Sequence, residues 1–192
     1  MTVQTKSPGG ITKHLFDVTE YHRFADAGIF MEDDRVELIN GEVVEMSPIG
    51  SLHAACVKRL AELLHEKLGK TALIGAQDPI QLDDFSEPEP DLSILKPRKN
   101  YYADAHPRPT DVLLLIEVSD TTIEYDRSVK LPLYARTEIP ETWVVDLNGE
   151  TIEQFSAPRD GQYTSYRVVR RAETLTSISL PTLTLSVDEI LG

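Results

Sequence analysis

The stretch "DVLLLIEVS", residues 111–119, constrains the fold more than any other part of the chain. Its apolar residues run on without alternating. A strand with one wet face alternates polar and apolar residues, whereas one covered on both faces does not. A central strand is therefore predicted here, with packed layers on each side. The run is far too short to span a bilayer, and it contains Glu117. A carboxylate inside such a strand is seldom buried without a partner, so Glu117 is expected to serve as a salt-bridge member or as a ligand. It shares strand parity with Leu113 and Leu115.

Upstream, "SEPEPDLSIL" (86–95) begins with acids and prolines and turns apolar at Asp91. A Pro-Asp pair at a strand start is commonly turn chemistry, so Asp91 alone decides nothing. If the two strands are neighbours, however, Asp91 and Glu117 converge near the strand ends. Two hard oxygen ligands meeting a backbone carbonyl form the partial shell that Mg²⁺ prefers.

The rest of the pattern gives one domain over residues 17–192, preceded by a loose arm at 1–16. Thr19 is the expected N-cap of a helix carrying Tyr21, Phe24 and Ala25 and stopping near Gly28. Asn40-Gly41 lies between two alternating segments and predicts a hairpin. "SLHAACVKRLAELLHEKLG" predicts a helix capped by Ser51, striped by Val57, Leu60, Leu64 and Leu68, and stopped by Gly69. "TALIGAQDPIQL" suggests a strand bent at Pro79. "YDRSVKLPLYARTEI" reads as a helix that Pro132 must kink. A second hairpin is expected at Asn148-Gly149, then strands in "GQYTSYRVV" and "LTLSV" and a last helical turn in "VDEIL". The order implies an α/β (α+β) domain with a mixed sheet, helices on its faces and hairpins near both ends.

The net charge of −13 works against casual binding to nucleic acid or anionic membrane, although it leaves room for a local phosphate site beside a cation. Cys56 is the single cysteine, which excludes an internal disulfide and suits a reducing cytoplasm. "MTVQTKSPGG" lacks the apolar core of a signal peptide, so a cytoplasmic protein is expected.

Among other chemistry-bearing residues, Asp126, Lys130 and Tyr134 are spaced four apart and share a face of any continuous helix. Asp126 and Lys130 could equally form a plain surface ion pair. His14, His22, His65 and His106 have no spacing that argues for metal binding. No Gly-rich phosphate loop or Gly-x-Ser-x-Gly elbow is present.

"PDLSIL", "LLLIEVSD" and "YDRSVKLPLYARTEIPETWVVD", with the earlier "VELINGEVVEMSP", closely resemble the Uma2 family, also known as DUF820. These are bacterial proteins with the restriction-endonuclease-like PD-(D/E)xK fold. The resemblance runs from about Tyr21 to Ile190. It implies Asp91 as the metal-binding Asp and Glu117 as the acid of the (D/E)xK element. The lysine of that element would stand at position 119, where this chain has Ser119; the family draws its lysine from the following helix, which points to Lys130. The resemblance further implies Mg²⁺ or Mn²⁺ held by Asp91, Glu117 and the Val118 carbonyl, with Glu37 and His53 as supporting residues; the plainer readings are an exposed strand position for Glu37 and a hydrogen-bonded core residue for His53.

The activity implied is metal-dependent endonuclease cleavage of nucleic acid, DNA foremost. Lys96, Arg98, Lys99 and Arg108, interleaved with Tyr101 and Tyr102 in the loop between the two site strands, form either a plain solvated loop or a contact for the nucleic-acid backbone beside the metal site. Two other readings stand beside this one: a catalytically inactive nuclease-fold interaction module, and a hydrolase of a small phosphodiester, which the acidic surface tolerates better. Paired chains would suit a nuclease of this fold, but the sequence shows no interface.

Overall fold

The computed structural model describes residues 12–31 and 34–192. Of the expected arm, residues 1–11 lie outside the described residues. Residues 12–16 lie against the first hairpin, where the Phe16 N–H donates to the Gly41 carbonyl.

Helix α1 (Val18–Asp26) is capped by Asp17 rather than Thr19. The Asp17 side chain accepts from the Glu20 N–H and the Glu20 carboxylate accepts from the Asp17 N–H. This reciprocal box needs a cap three residues before a Glu, a spacing that Thr19 does not have. Strands β1 (Val36–Ile39) and β2 (Glu42–Glu45) form the hairpin expected at Asn40-Gly41. Both turn residues have positive φ, 53° and 79°, as a two-residue turn with the right twist demands. Helix α2 (Ser51–Leu68) buries Cys56, Leu60, Leu64 and Leu68, a strict helical stripe, and leaves Val57 half-buried at its edge. Gly50, not Ser51, occupies the cap.

Strand β3 is short (Leu73–Gly75) and does not continue through Pro79. The Ile80 N–H instead donates to the Pro88 carbonyl and that of Leu82 to the Ser86 carbonyl, so residues 80–88 fold back on themselves. Strands β4 (Leu92–Leu95) and β5 (Val112–Ser119) are the predicted interior strands. They pair antiparallel, and the register skips Leu113 between Ile94 and Leu95. That bulge removes Leu113 from the parity it was expected to share with Glu117.

The helical segment after β5 has three parts. Ile123–Tyr125 form α3, Asp126–Lys130 form a π-helical turn, and Leu131–Arg136 form α4. The Leu131 N–H reaches back five residues to the Asp126 carbonyl. A wide turn just before Pro132 relieves the ring's clash with the preceding turn, and such turns recur at functional sites. The kink is therefore a local widening, and it directs Lys130 inward.

Strand β6 (Glu141–Asp146) lies parallel to β5, and β7 (Thr151–Arg159) and β8 (Gln162–Arg170) extend the sheet antiparallel. The second hairpin forms as expected, but its left-handed residue is Glu150 (φ 50°) rather than Gly149. The mixed six-stranded order is β3-β4-β5-β6-β7-β8. A separate C-terminal pair, β9 (Thr174–Thr176) with β10 (Thr184–Ser186), leads into α5 (Val187–Leu191).

One face of the sheet packs Leu114, Ile116, Val118 and Trp143 against Leu60 and Leu64 of α2 and Ile190 of α5. The other packs Leu115 against Ile80, Leu133 and Tyr134. This two-sided cover accounts for the unbroken apolar run of β5. Glu117 shares the parity of Leu115 and so projects toward α4.

Candidate active site

Five side chains from five segments meet at the ends of β4 and β5. Asp91 immediately precedes β4, Glu117 lies on β5, Glu37 on β1, His53 in the first turn of α2 and Lys130 at the end of the π turn. Asp91 and Glu117 are joined directly, since the Asp91 N–H lies 3.5 Å from Glu117 Oε2. Asp91 Oδ2 accepts from the Val118 N–H at 2.8 Å and lies 2.9 Å from His53 Nε2. Its other oxygen accepts from Gln77 Nε2 at 3.2 Å. The N–H and C=O of one strand residue project to the same edge, so the Val118 carbonyl lies on the Asp91 side.

Lys130 Nζ donates to Glu37 Oε1 at 3.0 Å and stands 3.3 Å from Glu117 Oε1, which also accepts from the Tyr134 hydroxyl. Glu37 Oε1 takes a further bond from the Glu89 N–H. Ser119 is fully buried and its hydroxyl donates to Asp126 Oδ2 at 2.6 Å, while Thr122 binds the same oxygen. Ser119 thus anchors a fourth carboxylate.

The charge balance of this cluster is uneven. Glu37, Asp91, Glu117 and Asp126 are all buried, and Lys130 is the one buried lysine or arginine among the described residues. Burial pushes the Glu117 pKa up to about 8; Lys130 pulls it down, and the neighbouring acids push it up again. Burial also raises Asp126, despite Lys130 and its two hydroxyl donors. For Lys130, burial acts to lower the pKa but is outweighed by Glu117, Glu37 and Asp126, so the ammonium stays charged. The hydrogen bond to Asp91 raises the His53 pKa, while burial works the other way. His53 Nδ1 is buried without a hydrogen-bond partner among the described residues. Buried carboxylates outnumber buried cations here, and their hard oxygen donors suit a divalent cation and its waters.

These groups line a cleft of about 490 Å³, walled by Arg35, the β2 end and the segment from Asp120 to Asp126. Lys96, Arg98, Lys99 and Arg108 do not line it. The loop that carries them joins antiparallel strands β4 and β5, so it leaves from Leu95 and returns at Val112, while Asp91 and Glu117 sit at the other end. Roughly 13 Å of strand separates the two ends. The expected position beside the metal site is therefore corrected. Arg98 instead pairs with Asp104 and lies 5.1 Å from the Tyr102 ring centre, and Lys96 donates to the Thr110 carbonyl. Arg35, in contrast, was not singled out from sequence and does line the cleft.

Of the two readings of Asp126, a shared helix face with Lys130 and Tyr134 or a plain surface ion pair, the second does not hold, because Asp126 is buried here, as is Tyr134. Their spacing with Lys130 carried the signal; what it lacked was the knowledge that this helix face turns inward. Gln77 had no sequence signal beyond its place near Asp78-Pro79.

Comparison with known proteins gives a family and a fold. The model of the Uma2 family, described as "Putative restriction endonuclease", matches residues 18–188. No curated protein matches. Among solved structures, that of "a putative nuclease belonging to DUF820" from Anabaena variabilis ATCC 29413 superposes with a TM-score of 0.70. It is 12% identical, and the match covers 92% of this chain and 97% of that one.

Proposed function

The chain belongs to the Uma2 family, and we propose that it is a divalent-metal-dependent endonuclease that hydrolyses phosphodiester bonds, with DNA as the substrate. The observation that carries this reading is the cluster of four buried carboxylates set against a single buried lysine, opening into a cleft. Asp91, Glu117 and the Val118 carbonyl would hold Mg²⁺ or Mn²⁺. Bound there, the ion supplies Lewis-acid charge and a bound water of lowered pKa.

The remaining work falls to the protein. Lys130 is held charged by the acids around it, which suits it to stabilise charge on a phosphate oxygen. Glu37 holds the ammonium in place by its 3.0 Å bond. His53 and Gln77 fix the Asp91 carboxylate in orientation, and Tyr134 does the same for Glu117. Arg35 on the cleft wall is placed to offset a substrate phosphate. Paired chains, each cutting one strand, would allow double-strand cleavage.

The test is incubation of supercoiled plasmid, single-stranded DNA and RNA with the protein in Mg²⁺ or Mn²⁺. Asp91→Ala and Lys130→Ala are run alongside. Cleavage by the parent should fall by at least about 10²–10³ in each variant. Cleavage that persists in both variants would place the activity elsewhere, and no cleavage of any substrate would remove the endonuclease reading.

A further inference from the structure

A second group of metal-ligating side chains lies outside the cleft. His22 of α1, Glu87 in the fold-back before β4 and His106 in the β4–β5 loop come together from three separate segments. Their ligand atoms all lie within 4.8 Å of one another, and none of the three lines the active-site cleft. His22 Nε2 is 2.7 Å from Glu87 Oε1, and the two imidazole ring centres are 6.1 Å apart.

A simple His–Glu pair does not account for this arrangement. Glu87 is 3% exposed, and its Oε2 is buried with no hydrogen-bond partner among the described residues. An unsatisfied buried acceptor is costly, and a carboxylate oxygen more so than a neutral one. The two histidines, by contrast, are exposed. Donors on a tetrahedral zinc ion stand about 3.3 Å apart, given bonds of about 2.0–2.1 Å, and small rotations of the two rings bring the group to that spacing.

We propose that His22, Glu87 and His106 form a binding site for a borderline transition-metal ion of the Zn²⁺ class, distinct from the cleft. Two imidazoles and one carboxylate are a zinc donor set, whereas Mg²⁺ and Ca²⁺ favour an all-oxygen shell. The exposed side leaves room for water to complete the coordination. The ion ties α1 and the β4–β5 loop to a segment that reaches Asp91 four residues later. It therefore acts as a clamp on the strand that feeds the cleft. This proposal does not depend on the endonuclease reading.

The experiment is isothermal titration of the full-length protein with Zn²⁺ in excess Mg²⁺, supported by the visible spectrum of the Co²⁺ form. Asp91→Ala removes competition from the cleft. One equivalent of Zn²⁺ should bind both the unaltered chain and Asp91→Ala. His22→Ala and His106→Ala, both at exposed positions, should each weaken that binding beyond the roughly 10- to 100-fold typical when a residue only orients a ligand. They should also abolish the imidazole-dependent Co²⁺ spectrum. Glu87→Gln should do likewise, and circular dichroism checks that each variant is folded. Absence of Zn²⁺ binding in the unaltered chain would overturn the site. So would binding that survives both histidine substitutions.

Discussion

Glu117 and Glu141 are both buried carboxylates on neighbouring parallel strands, yet their surroundings are opposites. Glu141 Oε1 accepts from Trp143 Nε1 and Gln154 Nε2, each at 2.7 Å. Its Oε2 accepts from the Ser177 hydroxyl at 2.6 Å and the Ser179 N–H at 2.8 Å. Four neutral donors saturate it, and they tie the β9–β10 region to the sheet. Glu117 has Tyr134, a lysine that it shares with Glu37, and one long bond from the Asp91 N–H. It also sits among three other acids. The comparison separates two uses of a buried charge: one is a structural fastener, and the other is short of positive charge and open to a cleft.

The largest expected effect is on the fastener. Glu141→Ala strands four donors, so the protein should lose about 4 kcal/mol or more in urea unfolding. Metal binding at the cleft should be unaffected in whatever fraction remains folded. If that substitution cost less than about 1 kcal/mol, Glu141 would not be the anchor described.

Glu117→Gln should behave in the opposite sense. The Glu117 pKa rises from 4.5 in a free side chain to about 8 in the fold. Its contribution to metal-free stability is therefore full below about pH 4.5 and is lost as the pH climbs through about 8. Gln carries no proton to lose. Denaturation curves in a chelator should place the variant close to the parent at low pH. Above about pH 8 the variant should be more stable, by a few kcal/mol at most. A parent whose stability is flat across that window would contradict the buried, under-neutralised state of Glu117.

His53→Ala should have the smallest effect on stability, about 1–2 kcal/mol, because it removes one hydrogen bond and leaves a modest gap near the surface. Its effect on function should be larger: Mn²⁺ affinity at the cleft should fall roughly 10- to 100-fold as Asp91 loses its orienting partner. Calorimetry that found unchanged Mn²⁺ affinity would assign His53 a packing role alone.

Most of the fold was legible because it is written locally. The unbroken β5 run, the Asn40-Gly41 turn and the α2 stripe each carry their structure within a few residues. The caps at Asp17 and Gly50 were missed by one or two positions, since cap choice depends on the exact register of the helix start. For the site, Asp91 and Glu117 were readable as neighbours once their strands were placed. The inward aim of Lys130 depends on a π turn that local periodicity does not encode.

Of the two readings of the basic loop, the contact beside the metal site fails because neighbouring strands do not by themselves reveal their direction. Antiparallel pairing sends that loop to the far end of the sheet. Glu141 drew no notice at all, because its donors Ser177 and Ser179 come from a segment more than thirty residues away. His22, Glu87 and His106 are scattered in the same way: the first two lie 65 positions apart.

A Mn²⁺ titration of the unaltered chain, Asp91→Ala and Glu117→Gln, followed by calorimetry and by the loss of free-Mn²⁺ paramagnetic signal, addresses the central claim most directly. Saturable binding by the unaltered chain, weakened more than about 100-fold in both variants, is the predicted result. A chain that binds no Mn²⁺ at the cleft, or binds it equally well without Asp91 and without the Glu117 charge, would contradict it.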